Sequence, residues 1–152
     1  MIIDTSVMVS AVERKDPAAI AALSALGGPS QWSFIVAGEL AAGVEAARAL
    51  KLPKADQRMR AATLTAYSQL SEQPVALTLD DLSAHFGSLT AICSARRIRL
   101  GQNDRWILAS AAALSTQVLT ADATMHHAGT EAGRAHGDKS LTILVRDDRL
   151  IN

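Results

Sequence analysis

Four acidic residues stand at predicted helix starts, where their side chains could act together. Asp4 ends the apolar run Met1–Ile3, Glu39 lies just past another predicted strand, Asp104 opens an apolar helix, and Asp122 comes two residues after a further strand. In an open parallel sheet, ligands bind beyond the carboxyl ends of the strands, because the following helices splay apart there. We therefore expect these carboxylates to converge on one edge of a sheet.

Acids at helix starts also have a purely structural explanation. Capping and the helix dipole stabilise a helix by about 1 kcal/mol for each such acid. A cluster is different, because two carboxylates ~5 Å apart at an effective dielectric of ~20 repel by about 3 kcal/mol. A cluster therefore needs a cation. Mg²⁺ binds through a few carboxylates and keeps waters for a phosphate substrate, so the pattern indicates a nuclease-type metal site.

Other kinds of site are poorly supported by the sequence. His126 and His127 are adjacent and would diverge on a helix, which does not suit a metal. The chain has neither a glycine-rich phosphate loop nor a Gly-x-Ser-x-Gly elbow, so nucleoside triphosphate chemistry is not expected. An aspartyl phosphohydrolase would want a second acid two residues after Asp4, where Ser6 stands.

Composition indicates a folded globular protein. The 152 residues suit a single domain, 1–152, and 49% of them are hydrophobic against 20% charged. The net charge is zero, which argues against nucleic-acid binding through bulk charge. The lone Cys93 excludes a disulfide framework and is expected to be a buried, inert thiol. No apolar stretch is long enough for a membrane span and the start lacks the basic residues of a signal peptide, so we expect a cytoplasmic protein.

Strand and helix patterns alternate along the chain, which predicts an α/β fold with a parallel sheet and right-handed crossovers. The predicted strands are Met1–Ile3, Trp32–Val36, Val75–Leu79, Gln117–Thr120 and Leu141–Val145. The predicted helices are Ser6–Glu13 capped by Thr5 or Ser6, Pro17–Leu26, an alanine-rich helix ending near Leu50, one from Pro53 to near Gln73, one capped by Asp80 and Asp81, and Trp106–Leu114.

Two segments near the end of the chain lack a clear period. Ala128–Ser140 is small, polar and glycine-containing, which predicts a loop with one helical turn. Arg146–Asn152 is predicted to be a charged tail.

Four stretches of the chain resemble the acidic motifs of PIN-domain ribonucleases of the VapC toxin type. They are Ile2–Ser6, Ala37–Gly43, Gly101–Ala109 and Leu119–Asp122, in the family's order. The resemblance implies a PIN-like three-layer α/β/α fold with a central parallel sheet of about five strands. It implies a metal-dependent endoribonuclease in which Asp4, Glu39, Asp104 and Asp122 are the catalytic acids and hold Mg²⁺ or Mn²⁺.

The resemblance also implies helper residues around these acids. Thr5 or Ser6 and Thr120 are hydroxyl neighbours of the site, although they could equally be plain helix caps, and Asn103 is an auxiliary ligand. After Asp122 the family often continues with another acid and an aromatic residue, whereas Ala123 follows here. A fifth acid is therefore not expected.

A cluster of arginines follows the fifth predicted helix. Arg96, Arg97 and Arg99, together with Arg105, could contact RNA phosphates, but favourable placement near a helix C-terminus explains them about as well. Trp106 is expected in the core rather than as a platform for base stacking. Aromatic residues make up only 3% of the chain, which leaves little capacity for stacking on single strands.

The family resemblance also implies partners. It implies a homodimer, a cognate small VapB-like antitoxin and an RNA substrate, which could be tRNA, rRNA or mRNA. The toxin reading has one alternative, a catalytically silent PIN-like module that binds RNA or protein. The presence of all four acids disfavours that alternative.

Overall fold

The computed structural model describes residues 1–72, 77–146 and 149–151. Within them the chain forms one six-stranded sheet of order β3-β2-β1-β4-β5-β6. The strands are β1 (Ile2–Ile3), β2 (Ser30–Gln31), β3 (Ser71–Glu72), β4 (Val118–Thr120), β5 (Thr142–Arg146) and β6 (Arg149–Ile151). β1 to β5 are parallel and β6 is antiparallel to β5. The predicted α/β fold with a parallel sheet of about five strands is confirmed.

Helices connect the strands. They are α1 (Thr5–Val12), α2 (Pro17–Ser24), α3 (Phe34–Ala49), α4 (Lys54–Leu70), α5 (Leu79–Ala95), α6 (Gln102–Ala113) and α7 (Ala123–His136). Two caps differ from the prediction. Asp4 itself caps α1 by accepting the Ser6 N–H, and Thr78 rather than an acid caps α5 by accepting the Asp81 N–H at 3.1 Å. Both are extended residues placed just before the helix, where a side-chain oxygen reaches the free amides.

The second predicted strand, Trp32–Val36, was wrong over its whole length. β2 is Ser30–Gln31, and α3 already begins at Phe34. Ser33 caps α3 by accepting the Val36 N–H, and its own N–H donates to the buried Tyr67 hydroxyl at 2.8 Å. These contacts outweigh the β propensity of the segment. Glu39 therefore lies in the second turn of a helix rather than just past a strand.

The third predicted strand, Val75–Leu79, also differs. Part of it lies outside the described residues, and Leu79 begins α5. The strand is instead Ser71–Glu72, where the preceding helix was expected to continue. Pairing explains the change, because Ser71 lies opposite Ser30 with their hydroxyls 2.7 Å apart, and the Trp32 N–H donates to the Glu72 carbonyl at 2.7 Å.

The predicted loop Ala128–Ser140 was wrong, because α7 extends from Ala123 to His136. The buried residues of this helix do recur at helical spacing, but most are small, among them Ala128, Gly129, Ala132 and Gly133, so their side chains do not reveal the buried face in the sequence. A Cβ on Gly129 would lie 2.6 Å from the Thr142 side chain, and one on Gly133 would lie 2.3 Å from the Lys139 carbonyl oxygen. A larger residue at either glycine would push α7 away from β5 and the segment leading to it.

The predicted charged tail at Arg146–Asn152 was also wrong in part, because Arg149–Ile151 forms β6. Leu150 pairs with Val145 and Ile151 with Leu144. Main-chain pairing with β5 places this segment in the sheet, whereas residues 147, 148 and 152 of the predicted tail lie outside the described residues.

The core lies on both sides of the two central strands. Ile2, Ile3, Val118 and Leu119 are at most 2% exposed. Full burial of such a side chain stabilises the fold by roughly 1.5–3 kcal/mol. The helices contribute further buried side chains, among them Val7, Met8, Ile107, Leu108 and Met125.

Two expectations for residues on α5 and α6 are confirmed. Cys93 is buried, and burial raises the pKa of its thiol, as suits an inert side chain. Trp106 packs against the core and stacks on Phe86 with ring centroids 4.0 Å apart. In the part of the chain that the structure describes, no helix is both long and apolar enough to cross a membrane.

Candidate active site

The acidic edge of the sheet is built first by the pairing of β1 with β4. Ile2 lies opposite Val118 and Ile3 opposite Leu119, and the Asp4 N–H donates to the Leu119 carbonyl at 2.9 Å. The two strands therefore end at the same height. Since α1 and α7 begin directly after them, Asp4 and Asp122 are both delivered to the carboxyl edge, as the sequence predicts.

Asp4 is the most enclosed of the four acids, with 5% of its surface exposed. Its Oδ2 accepts hydrogen bonds from the Ser6 hydroxyl, from the Ser6 N–H and from the Thr120 hydroxyl, the last at 3.0 Å. Burial raises the pKa of Asp4, these hydrogen bonds oppose the rise, and repulsion from Glu39 adds to it. Within the described residues Oδ1 receives no hydrogen bond, so one oxygen remains for a ligand.

The two hydroxyls that hold Asp4 are themselves oriented by the backbone. Ser6 Oγ accepts the Ala121 N–H at 3.0 Å, and Thr120 Oγ1 accepts the Asp122 N–H at 3.0 Å. A hydroxyl has one proton, and here it points at the carboxylate while the lone pairs receive the amides. This network ties Asp4 to the segment that carries Asp122.

Asp122 caps α7. Its Oδ1 accepts the N–H groups of Thr124 at 2.6 Å and Met125 at 2.9 Å. An acid in this position satisfies free amides and lies at the positive end of the helix dipole. The described residues donate nothing to Oδ2. Asp122 can therefore be a cap and still offer an oxygen to the site.

Asp104 is the third residue of α6. Its carboxylate lies beside the Gly101 backbone N–H, which lowers the pKa of Asp104 against the larger effects that raise it. A Cβ on Gly101 would lie 2.9 Å from Asp104 Oδ2, so glycine makes room for the carboxylate. Burial raises the pKa of Asp104, and the charges of Asp4, Asp122 and Glu39 raise it further. The pKa of this one carboxyl group is thus affected by the charges of all three other acids.

Glu39 reaches the edge from α3 and has both carboxylate oxygens occupied. The Thr5 hydroxyl donates to Oε2 at 2.5 Å, and the Asn103 side-chain amide donates to Oε1 at 2.8 Å. Thr5 begins α1 and Asn103 lies in the first turn of α6. Glu39 therefore links three helices.

The structure thus separates the roles of the predicted helper residues. Asp4 caps α1, so Ser6 and Thr120 act as donors to Asp4 and Thr5 acts as a donor to Glu39. Of the alternatives that the sequence left open, plain capping by these three hydroxyls is excluded. Asn103 presents its NH₂ group to an acid of the cluster.

The oxygen atoms of the four carboxylates suit a hard divalent cation by their chemistry, although the four side chains do not surround a common point. Within the described residues, no three acid, imidazole or thiol side chains stand close enough together to hold a metal ion. The same described residues supply no Lys or Arg ion pair to any of the four acids. Four mutually repelling carboxylates at such an edge would draw together only around a cation. By donor chemistry the residues fit Mg²⁺ or Mn²⁺.

The predicted arginine cluster lies apart from these contacts. Arg96 pairs with the buried Glu131 at 3.0 Å, and the Arg105 guanidinium donates to the Leu100 carbonyl at 2.9 Å. Arg97 and Arg99 are exposed. The helix C-terminus explains the placement of Arg96, which caps α5, and an ion pair fixes its side chain.

No individual role was predicted from the sequence for Gly101 or Glu131. Gly101 carried a readable signal, since it directly precedes the Asn103-Asp104 pair at a helix start. Glu131 carried none, because its partners Arg96 and Arg134 include one from another helix, and the pairing exists only in the folded chain.

The fold is an α/β fold with parallel strands, and four acids lie toward the carboxyl edge of its sheet with no basic partner among the described residues. The PIN domain family model matches residues 1–131, and the chain belongs to the PIN domain family. A comparison with curated proteins finds no match.

Two solved structures are similar to the chain. One is VapBC-1 from nontypeable Haemophilus influenzae, with a TM-score of 0.63 and 16% identity over 86% of this chain and 92% of that one. The other is VapBC2 from Rickettsia felis bound to a DNA fragment from its promoter, with a TM-score of 0.62 and 20% identity over 80% and 86% of the two chains. At these identities the likeness shows a shared fold.

Proposed function

We propose that this PIN domain is a metal-dependent endoribonuclease of the VapC type, the toxin of a toxin–antitoxin pair. The observation that carries the proposal is the set of four acids at one sheet edge, where the described residues provide hydroxyls and amides but no basic side chain. A chain that keeps these acids uncompensated holds them for an external cation. Membership of the PIN family and the VapBC fold neighbours support the same reading.

In this proposal Asp4, Glu39, Asp104 and Asp122 would hold Mg²⁺ or Mn²⁺. When bound, such an ion lowers the pKa of a coordinated water and neutralises charge that develops on the scissile phosphate. Ser6 and Thr120 fix the orientation of Asp4, and the cap geometry fixes Asp122, so each presents one carboxylate oxygen to the site. The chain supplies no covalent nucleophile in this scheme.

The expected partners are an RNA, a small VapB-like antitoxin and a second copy of the chain. The two structural neighbours are VapBC complexes, which supports the antitoxin. The open reading frame beside this gene should encode a small protein with a DNA-binding N-terminus, and its co-expression should suppress toxicity. Growth arrest that this neighbour does not relieve would count against the toxin role while leaving the nuclease role standing.

One observation favours a second candidate, a catalytically silent module that binds RNA or protein. Among the described residues the acids do not stand at ligand distances from a common point. A silent module would keep the fold and the acidic edge without gathering the acids around an ion.

The test is RNA cleavage by the purified chain with Mg²⁺ or Mn²⁺. A metal-activated water that attacks phosphorus and expels the 3′-oxygen leaves a 5′-phosphate and a 3′-hydroxyl. Wild type and Asp80→Asn, a control acid exposed in the first turn of α5, should give these ends, and Asp104→Asn should not. Cyclic-phosphate ends, or full activity in excess EDTA, would overturn the mechanism. Inert protein with metal demonstrably bound would favour the silent module.

A further inference from the structure

The four acids differ in how each is held. Asp4 and Asp122 accept amides of the helices that they begin, and Asp104 lies in the first turn of its own helix, beside the Gly101 N–H. Glu39 lies in the second turn of α3, where the backbone N–H groups are used inside the helix. It has no local donor and must be held by side chains from elsewhere.

Glu39 also loses more side-chain conformational entropy than the three aspartates when its carboxylate is fixed in place. A glutamate has three side-chain torsions against two in aspartate, so fixing it costs more rotamer entropy. The residue is only partly buried, so packing alone does not select one rotamer. Its two hydrogen bonds, one from Thr5 and one from Asn103, each engage a different carboxylate oxygen.

The direction of the hydrogen bond between Asn103 and Glu39 is defined. A carboxylate accepts but does not donate, so the amide must turn its NH₂ group toward Glu39 Oε1, at 2.8 Å. Its carbonyl oxygen, the atom that could bind a metal, is not the atom in contact with Glu39. The auxiliary-ligand role that the sequence resemblance implies is therefore not the role that this contact performs.

We propose that Asn103 is a positioning residue, whose amide holds Glu39 at the acidic edge and so prepares the site for a divalent cation. This inference rests on the proposed function. Asn103 lies next to Asp104 in the first turn of α6, so the same helix start supplies one acid and orients another. A change at Asn103 should act on metal binding through Glu39 alone.

The test measures the Mn²⁺ dissociation constant of the full chain by titration calorimetry or by the loss of free-Mn²⁺ resonance. Asn103→Ala should weaken binding by about 10- to 100-fold, the range found when a partner that orients a metal ligand is removed. The matched control is Gln102→Ala, an exposed neighbour in the same turn that makes no contact with Glu39 in the described residues. It should bind like wild type, and both variants should keep the melting temperature of the wild type.

The double variant separates positioning from direct ligation. If Asn103 acts through Glu39, adding Asn103→Ala to Glu39→Gln should cost little further affinity. A full additional 10- to 100-fold loss in that background would instead make Asn103 a ligand in its own right and overturn the inference. Equal affinities of Asn103→Ala and Gln102→Ala would overturn it too, with the metal site intact. Absence of Mn²⁺ binding by wild type would remove the proposed function and this inference with it.

Discussion

Asp4 and Glu131 are both buried acids, with 5% and 8% of their surfaces exposed, yet their surroundings are opposite. Glu131 on α7 contacts two guanidinium groups, Arg96 from α5 at 3.0 Å and Arg134 at 2.7 Å. Asp4 contacts two hydroxyls and an amide, and the charge that acts on it is the negative charge of Glu39. The described residues thus supply a counter-charge for Glu131 and none for Asp4.

The difference distinguishes a structural acid from one reserved for a ligand. Removing a carboxylate from water is costly, and a partner cation offsets the cost when the pair is well hydrogen-bonded. At Glu131 the pair joins α5 to α7 and needs nothing more. At the carboxyl edge neutral donors orient Asp4 without cancelling its charge, and under the proposed function an external cation would complete the site. Single substitutions test both the structural role of Glu131 and the proposed ligand-binding role of the acidic edge.

The largest expected effect is on cleavage at the acidic edge. Asp104→Asn should reduce RNA cleavage by about two orders of magnitude or more, since each ~1.4 kcal/mol of lost transition-state stabilisation is tenfold in rate. Asparagine has nearly the same volume as aspartate and Asp104 has no ion pair in the described residues, so the fold should persist. Glu131→Gln, compared per folded molecule, should cleave like wild type. Comparable losses in the two variants would erase the proposed distinction between the two acids.

A substitution at Glu131 should lower the stability of the fold. Glu131→Gln leaves two guanidinium groups without their acid and should lower the free energy of unfolding by about 1–2 kcal/mol, roughly 3–8 °C in melting temperature. The value is below that of a fully buried pair because the Arg96 and Arg134 side chains remain 65% and 72% exposed.

The control for this change is Glu45→Gln, in which a fully surface ion pair is lost. The Glu45 and Arg48 side chains are 69% and 59% exposed, so the change should stay within about 0.5 kcal/mol. Equal melting temperatures for Glu131→Gln and Glu45→Gln would mean that the ion pairs of Glu131 contribute no more to stability than the surface pair does.

A smaller effect is expected in the pH dependence of the metal-free protein. The pKa of Asp104 is raised, first by burial and then by three carboxylates, so folding favours its protonated form. That contribution to stability is complete below the ordinary aspartate pKa and is lost as pH rises through the raised value. Asp104→Asn does not titrate. It should therefore match wild type near pH 4 and exceed it at pH 7 in thermal melts without metal, and a gap that shrinks with rising pH would contradict the pKa direction.

Much of the acidic edge could be predicted from the sequence because its signals are local. An apolar strand, an acid and a helix start follow one another at Asp4 and again at Asp122, and Asp104 lies in the first turn of a helix that begins just after Gly101. Strands of a parallel sheet end together, so convergence of these acids follows from topology.

The predictions that were wrong concern segments whose structure depends on contacts with distant parts of the chain. Phe34 and its neighbours have β-forming side chains, but the Ser33 cap and the Tyr67 hydroxyl place them in a helix. α7 was missed because its buried face consists largely of small residues such as Gly129 and Gly133, which allow other segments to pack closely against the helix.

The assignment of hydroxyls to acids could not be predicted for a similar reason. Thr5 and Ser6 are adjacent, yet one donates to Glu39 and the other to Asp4, and only the three-dimensional arrangement decides between them.

The central claim is that the acidic edge awaits a divalent cation whereas Glu131 does not, and Mn²⁺-dependent thermal unfolding tests it most directly. At ten times the dissociation constant, linkage stabilises the folded chain by ~1.4 kcal/mol, roughly 3–6 °C for a domain of this size. Wild type and Glu131→Gln should each show this rise from their own starting temperatures, and Asp104→Asn should show little or none. An equal rise in Asp104→Asn, or none in wild type, would contradict the claim.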